Sequence, residues 1–140
     1  MSSQIATIKE YYRRSDNFSP DLLDLFTDDF TFYYPKFGFG RGRKDFEQFA
    51  VGLLSSAKIL VHPIEAMRFV EQGTSIVVEG IVEGELHSGA VWKAGTSAAG
   101  RFCSLFDFRN GLISRMHIYV DPDYGSMNSA GFLWGRDRDW

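Results

Sequence analysis

Asn110-Gly111 stands between two segments whose side chains alternate, and this feature limits what the chain can fold into more than any other. An Asn-Gly pair supplies the two left-handed residues of a type I′ turn, whose twist matches that of the flanking strands. Arg101–Arg109 and Leu112–Val120 are therefore predicted to form an antiparallel hairpin. One face of it carries Phe102, Ser104, Phe106 and Phe108 with Met116, Ile118 and Val120. The other carries Cys103, Leu105 and Asp107 with Arg115, His117, Tyr119 and Asp121. Because side chains alternate with period two, the apolar set marks the side turned to the core.

Earlier segments repeat the pattern. Phe30–Tyr34 is a short strand that Pro35 ends, and Ser75–Glu85 another, with Ile76, Val78, Gly80 and Val82 inward. Ile59–Val70 reads as one long strand bent at Pro63, and Ala90–Lys93 as a short one. Ahead of these strands the period changes to that of helices. Ile5, Ile8 and Tyr12 share one face of a first helix. Ser19 and Pro20 open a second, which buries Leu22, Leu23 and Phe26 before Asp28 and Asp29. Gly38, Gly40 and Gly42 mark a loop, and Phe46, Phe49, Ala50, Leu53 and Leu54 the core face of a third helix. Helices followed by an antiparallel meander predict an α+β fold, three N-terminal helices packed on one face of a curved, mostly antiparallel sheet.

Composition adds limits. At 140 residues one core suffices without staples. A formal charge of −3 gives no basic field for a phosphate backbone, so no nucleic-acid partner is expected. The single Cys103 excludes an internal disulfide and any multi-cysteine metal site. No apolar run nears the roughly 18 residues of a membrane span, and the N-terminus lacks a signal-peptide layout. A cytoplasmic protein without membrane association is the expectation. The 13 Phe, 6 Tyr and 3 Trp are much ring surface for a small core and point to an aromatic-lined cavity.

Two strings carry a family resemblance. LLDLFTDDFTFYYPKFGFGRGRKDFEQF resembles the helix–strand–proline–loop–helix unit of the nuclear-transport-factor-2-like superfamily, and FCSLFDFRNGLISRMHIYVDPDY its closing hairpin, most of all in the SnoaL-like branch of polyketide cyclases. Ketosteroid isomerase, limonene epoxide hydrolase and scytalone dehydratase share that shape. The likeness spans roughly residues 5 to 124, and residues 1–123 are taken as one SnoaL-like domain with 124–140 as a tail. It implies a cone-shaped, half-open barrel (cystatin-like) around an apolar pocket, and a homodimer pairing outer sheet faces. It also implies cofactor-independent isomerase, cyclase, dehydratase or hydrolase chemistry on a polyketide- or terpenoid-like molecule. A non-catalytic ligand-binding or dimeric interaction module of the same fold is the alternative.

The family's acids do not transfer. Where ketosteroid isomerase has its basic Asp, before the proline ending the first strand, this chain has Tyr34. A phenol would need its pKa brought near neutrality, about 4 kcal/mol, to act as that base. The isomerase's protonated acid, a carboxyl kept neutral so that it can donate a hydrogen bond, corresponds to Ser104. Its oxyanion-hole tyrosine corresponds to Tyr12 or Tyr11, and the last-strand Asp of the cyclases and epoxide hydrolases to Ile118.

The candidate catalytic residues are therefore Tyr34, Tyr12, Asp121 and His117. His117 and Asp121 share a strand face, which alternation assigns to the outside, although Pro122 turns the chain after Asp121 toward the pocket mouth. Ligand contacts are expected from Phe32, Ser104, Phe106, Met116, Ile118 and Val120 on the sheet, Leu54 on the third helix, and Phe37 and Trp92 at the rim. Phe132 and Trp134 in the tail suit a lid or a partner contact, or plain disorder. His62 and His87 have no second ligand at metal spacing, so no metal and no cofactor are expected.

Overall fold

The computed structural model describes residues 1–129 and 140. Helix α1 spans Ser3–Asp16, with the Ser2 side chain accepting from the N–H of Ile5 at its start. It buries Ile8, Tyr11 and Tyr12, the face the sequence marks. Strand β1 is Phe26–Tyr34, β2 Gly38–Arg41, and helix α2 Gly42–Ser56. Strands β3 (Ala57–Val61), β4 (Arg68–Gln72), β5 (Ser75–Ile81), β6 (Glu83–Leu86), β7 (Val91–Trp92), β8 (Arg101–Arg109) and β9 (Leu112–Val120) follow.

Six strands form one sheet in the order β2-β1-β9-β8-β5-β4, and β3-β6-β7 form a second. Every pairing is antiparallel except β1 with β9. The hairpin at Asn110-Gly111 lies where the sequence puts it, with φ of 53° and 81° at the two turn residues. Its register sets Ser104 opposite Ile118 and Phe106 opposite Met116. A bulge at Asp107/Phe108 then turns both Ile113 and Met116 inward. The inward set, from Phe30 and Phe32 through Ile76 and Val78 to Phe102 and Phe106, is buried as the alternation requires. Tyr11 and Tyr12 of α1 pack on Phe106, and Phe46 and Phe49 of α2 on Phe32. The result among the described residues is an α+β fold, two α-helices on a mostly antiparallel sheet.

Four sequence expectations are corrected. The second of three helices is only a 3₁₀ turn, Leu22–Leu25. Phe26 already pairs with Ile113 of β9 and packs on Phe30, leaving too few residues after Pro20 to propagate an α-helix. The glycine loop is strand β2, which pairs along β1; a Cβ at Gly40 would sit 2.3 Å from the Phe32 ring, so only glycine lets that ring lie flat there. The long strand at Ile59–Val70 is divided by Pro63 and a 3₁₀ turn, and its halves join different sheets.

Ser75–Glu85 likewise breaks at Val82. That residue's N–H donates to Gly100 O at 2.7 Å and its carbonyl accepts from Trp92 Nε1 at 2.8 Å. Both backbone groups leave the ladder, and the chain bends into the second sheet. Gly84 and Gly100 permit the crossing, since a Cβ on either would fall within 2.2 Å of a backbone carbonyl. Among the described residues no helix is long and apolar enough to cross a membrane.

Candidate functional site

The bend at Val82 holds the second sheet away from the first, and a cavity of about 300 Å³ lies between sheet, α1, α2 and the Phe18–Leu23 segment. Its inner wall is the buried Phe102 and Ser104 with the half-buried Ile118 and Val120, at one end of the alternating face. Leu53, Leu54 and Phe49 of α2 form the opposite wall. Phe18 and Arg43 stand at the exposed mouth. The size is at the lower end of small-molecule sites, and the walls are mainly apolar.

Besides Tyr11, Ser15, Ser19, Arg43 and Glu47, five polar side chains border this space: Tyr12, Ser104, Tyr34, Tyr124 and His62. Tyr12 (3% exposed) and Ser104 (0%) reach it with Oη and Oγ buried and without a hydrogen-bond partner among the described residues. Burial pushes the Tyr12 phenol well above its ordinary pKa, and the neighbouring Tyr11 adds to the rise; Ser104 works against it without closing a hydrogen bond of good geometry. Tyr34 and Tyr124 pair instead, hydroxyl to hydroxyl at 2.7 Å, and burial raises both. A tyrosine so placed is a hydrogen-bond donor, not a base.

The fifth is His62. Its backbone N–H donates to Asp16 Oδ2 at 2.7 Å, and its Nδ1 lies 2.5 Å from Asp16 Oδ1. Tyr12 and Asp16 fall four residues apart, on one face of the last turns of α1, and the Tyr12 ring packs on the imidazole with centroids 4.8 Å apart. Sequence reasoning passed over this pair. The two residues are far apart in the chain, and the one local signal was Pro63, which forces an extended backbone on the residue before it.

Of the residues singled out from the sequence, Tyr12, Tyr34, Leu54, Ser104, Ile118 and Val120 line the cavity. Phe32, Phe106 and Met116 do not; they are fully buried in the packed part of the core. Phe37 stacks on Phe32 at 5.7 Å, outside the hollow. Trp92 stands behind the wall, stacked on Tyr124 at 4.5 Å. His117 lies on the outer face among Tyr33, Phe39 and Tyr119, where partial burial and the Arg115 cation hold its imidazole below the ordinary value. Asp121 caps a turn, accepting from the N–H of Asp123 at 2.9 Å, and does not line the cavity. Phe132 and Trp134 lie outside the described residues. No group of three or more metal-ligating side chains occurs among the described residues.

The chain belongs to the SnoaL-like domain family, whose model matches residues 8–116. No curated protein matches the chain. Among solved structures, a nuclear-transport-factor-2-like protein of unknown function from Burkholderia pseudomallei is similar at TM-score 0.74 and 20% identity, over 87% of this chain and 93% of that one. TerC, co-crystallised with polyporic acid, is similar at 0.71 and 21% identity, over 86% and 92%. A Xanthomonas campestris protein with a provisional polyketide cyclase name gives 0.68 and 20%, over 85% and 90%. At these identities the likeness is one of fold.

Proposed function

We propose that the cavity is the mouth of a half-open, cone-shaped barrel and takes up a small, largely apolar molecule. On it the chain acts as a cofactor-independent isomerase, cyclase, dehydratase or hydrolase, the substrate being polyketide- or terpenoid-like. One observation carries this reading: two buried hydroxyls, Tyr12 and Ser104, end without a hydrogen-bond partner among the described residues in a mainly apolar hollow. Leaving a buried donor unpaired costs about 1–3 kcal/mol each, a cost a bound oxygen would remove. The co-crystallisation of TerC with polyporic acid and the provisional cyclase name support a small organic ligand.

A binding module without catalysis is the second reading, favoured by the apolar Ile118 and by Tyr34, whose hydroxyl is committed to Tyr124. Turnover assays on a panel of aromatic polyketides separate the two. The first reading expects product, and Tyr12→Phe with Ser104→Ala reduces its rate; saturable binding with unchanged ligand supports the second.

We also propose a homodimer through the outer sheet face, supported by its exposed rings, Phe39 at 77% and Tyr119 at 52%, beside Tyr33 and His117. Sedimentation of the wild type and of Phe39→Glu/Tyr119→Glu tests it. A monomeric wild type contradicts it.

A further inference from the structure

Two phenol hydroxyls carry two protons, and a bond between them uses one. Tyr34 and Tyr124 meet oxygen to oxygen at 2.7 Å, and no other hydrogen bond reaches either oxygen among the described residues. Burial raises both phenols above their ordinary pKa, so both stay protonated. Whichever oxygen accepts therefore keeps an O–H with no acceptor, and both side chains line the cavity although both are buried. The two rings are held in place. Tyr34 packs on Phe49 with centroids 4.8 Å apart, and Tyr124 stacks on Trp92 beside a turn in which Asp121 and Asp123 accept backbone N–H groups.

Register separates this donor from Tyr12 and Ser104. Tyr33 pairs with His117, so Tyr34 falls beside Ile118, and Ile118 pairs with Ser104. Tyr34, Ile118 and Ser104 thus form one inward row across β1, β9 and β8, about 10 Å from end to end at the ordinary spacing of strands. Tyr12 stands at the β8 end, packed on Phe102 and Phe106. The row has spare donors at both ends and an aliphatic side chain between them.

We propose that the Tyr34–Tyr124 pair is a second oxygen-binding position, and that the ligand carries an acceptor oxygen at each end of a compact hydrocarbon frame, as a bicyclic diketone does. This rests on the cavity being a ligand site and adds the class of ligand. One oxygen accepts from Tyr12 or Ser104, the other from the hydroxyl of the pair that has the spare proton, and the frame lies over Ile118. A pair that only fastened the segment after β9 to β1 would need no ligand oxygen.

The test is tryptophan-fluorescence titration with trans-decalin-2,6-dione and with trans-β-decalone, which lacks the second oxygen. Wild type is expected to bind the dione about ten-fold tighter. Tyr34→Phe and Tyr124→Phe each leave one hydroxyl with one free proton, so each should keep most of that preference while losing stability. Tyr34→Phe/Tyr124→Phe leaves no proton, and should bind both ketones alike with its affinity for the monoketone unchanged. A merely structural role would not divide single from double variants in this way. If the double variant fails to fold, the infrared carbonyl bands of isotope-labelled dione bound to wild type replace it, both being expected below their frequency in hydrocarbon solvent. Four results overturn the second position and leave the cavity reading standing: binding of the monoketone with no preference for the dione in wild type, a preference lost in both folded single variants, a preference kept in the folded double variant, or one carbonyl band at its free frequency. Failure of wild type to bind either ketone overturns the cavity reading with it.

Discussion

The two ends of one sheet face have opposite fates. Toward β2 and the hairpin turn, Phe26, Phe30, Phe32 and Phe46 interlock with centroids 4.7 to 6.2 Å apart, and Tyr11 and Phe106 continue the packing. Toward the bend at Val82, the inward positions are Phe102, Ser104, Ile118 and Val120, and about 300 Å³ stays open. Both ends obey the same alternation and both are rich in rings. What separates them is side-chain volume at a few inward positions, together with a strand break that carries the second sheet away. A ring-rich face fills itself where phenylalanines oppose one another, and leaves a hollow where Ser104 and two aliphatic side chains stand beside a single ring, Phe102.

Substitutions at the two ends should sharpen this contrast. The largest effect is expected at the filled end: Phe106→Ala, at a fully buried ring, should cost about 3–5 kcal/mol in denaturant unfolding. Ile118→Ala, which faces space already open, should cost only about 1–2 kcal/mol; equal costs would remove the distinction. Next, Tyr34→Phe should cost about 1–2 kcal/mol, because it orphans the buried Tyr124 hydroxyl, and adding Tyr124→Phe should recover part of that loss. Ser104→Ala has the opposite sign. Removing a buried hydroxyl that lacks a partner should raise stability by up to about 1 kcal/mol and weaken binding of an oxygen-bearing ligand.

The smallest effect is set by pH. Burial raises the Tyr11, Tyr12, Tyr34 and Tyr124 phenols above their usual value of 10.0. Below that value their contribution is fully present in the folded state. As pH climbs past it, the unfolded chain loses these protons first, so stability falls. Thermal melts stepped through this range should therefore decline, with less slope in Tyr34→Phe.

The filled end was legible in the sequence, since Asn110-Gly111 and period-two alternation settle strand boundaries and faces through local geometry. Ser104, Ile118 and Val120 were placed correctly on the cavity side for the same reason. Phe32, Phe106 and Met116 were placed on the right face, yet alternation cannot tell core from cavity wall along a strand. Where β2, the divided strands and the 3₁₀ turn departed from expectation, tertiary pairing overrode local signals, as when Phe26 joined β9. The Asp16–His62 pair was invisible because it depends on α1 ending beside β3, a contact that Pro63, which only keeps His62 extended, does not mark.

That the Ser104 end is a ligand site, and the Phe106 end solid core, is tested most directly by titrating β-tetralone against tryptophan fluorescence. Trp92 stacks on Tyr124 of the cavity wall and so reports on occupancy. Wild type and the conservative core variant Phe106→Leu should bind saturably, while Ile118→Phe, which fills the hollow, should weaken binding at least about ten-fold. Undiminished affinity in a folded Ile118→Phe protein would contradict it.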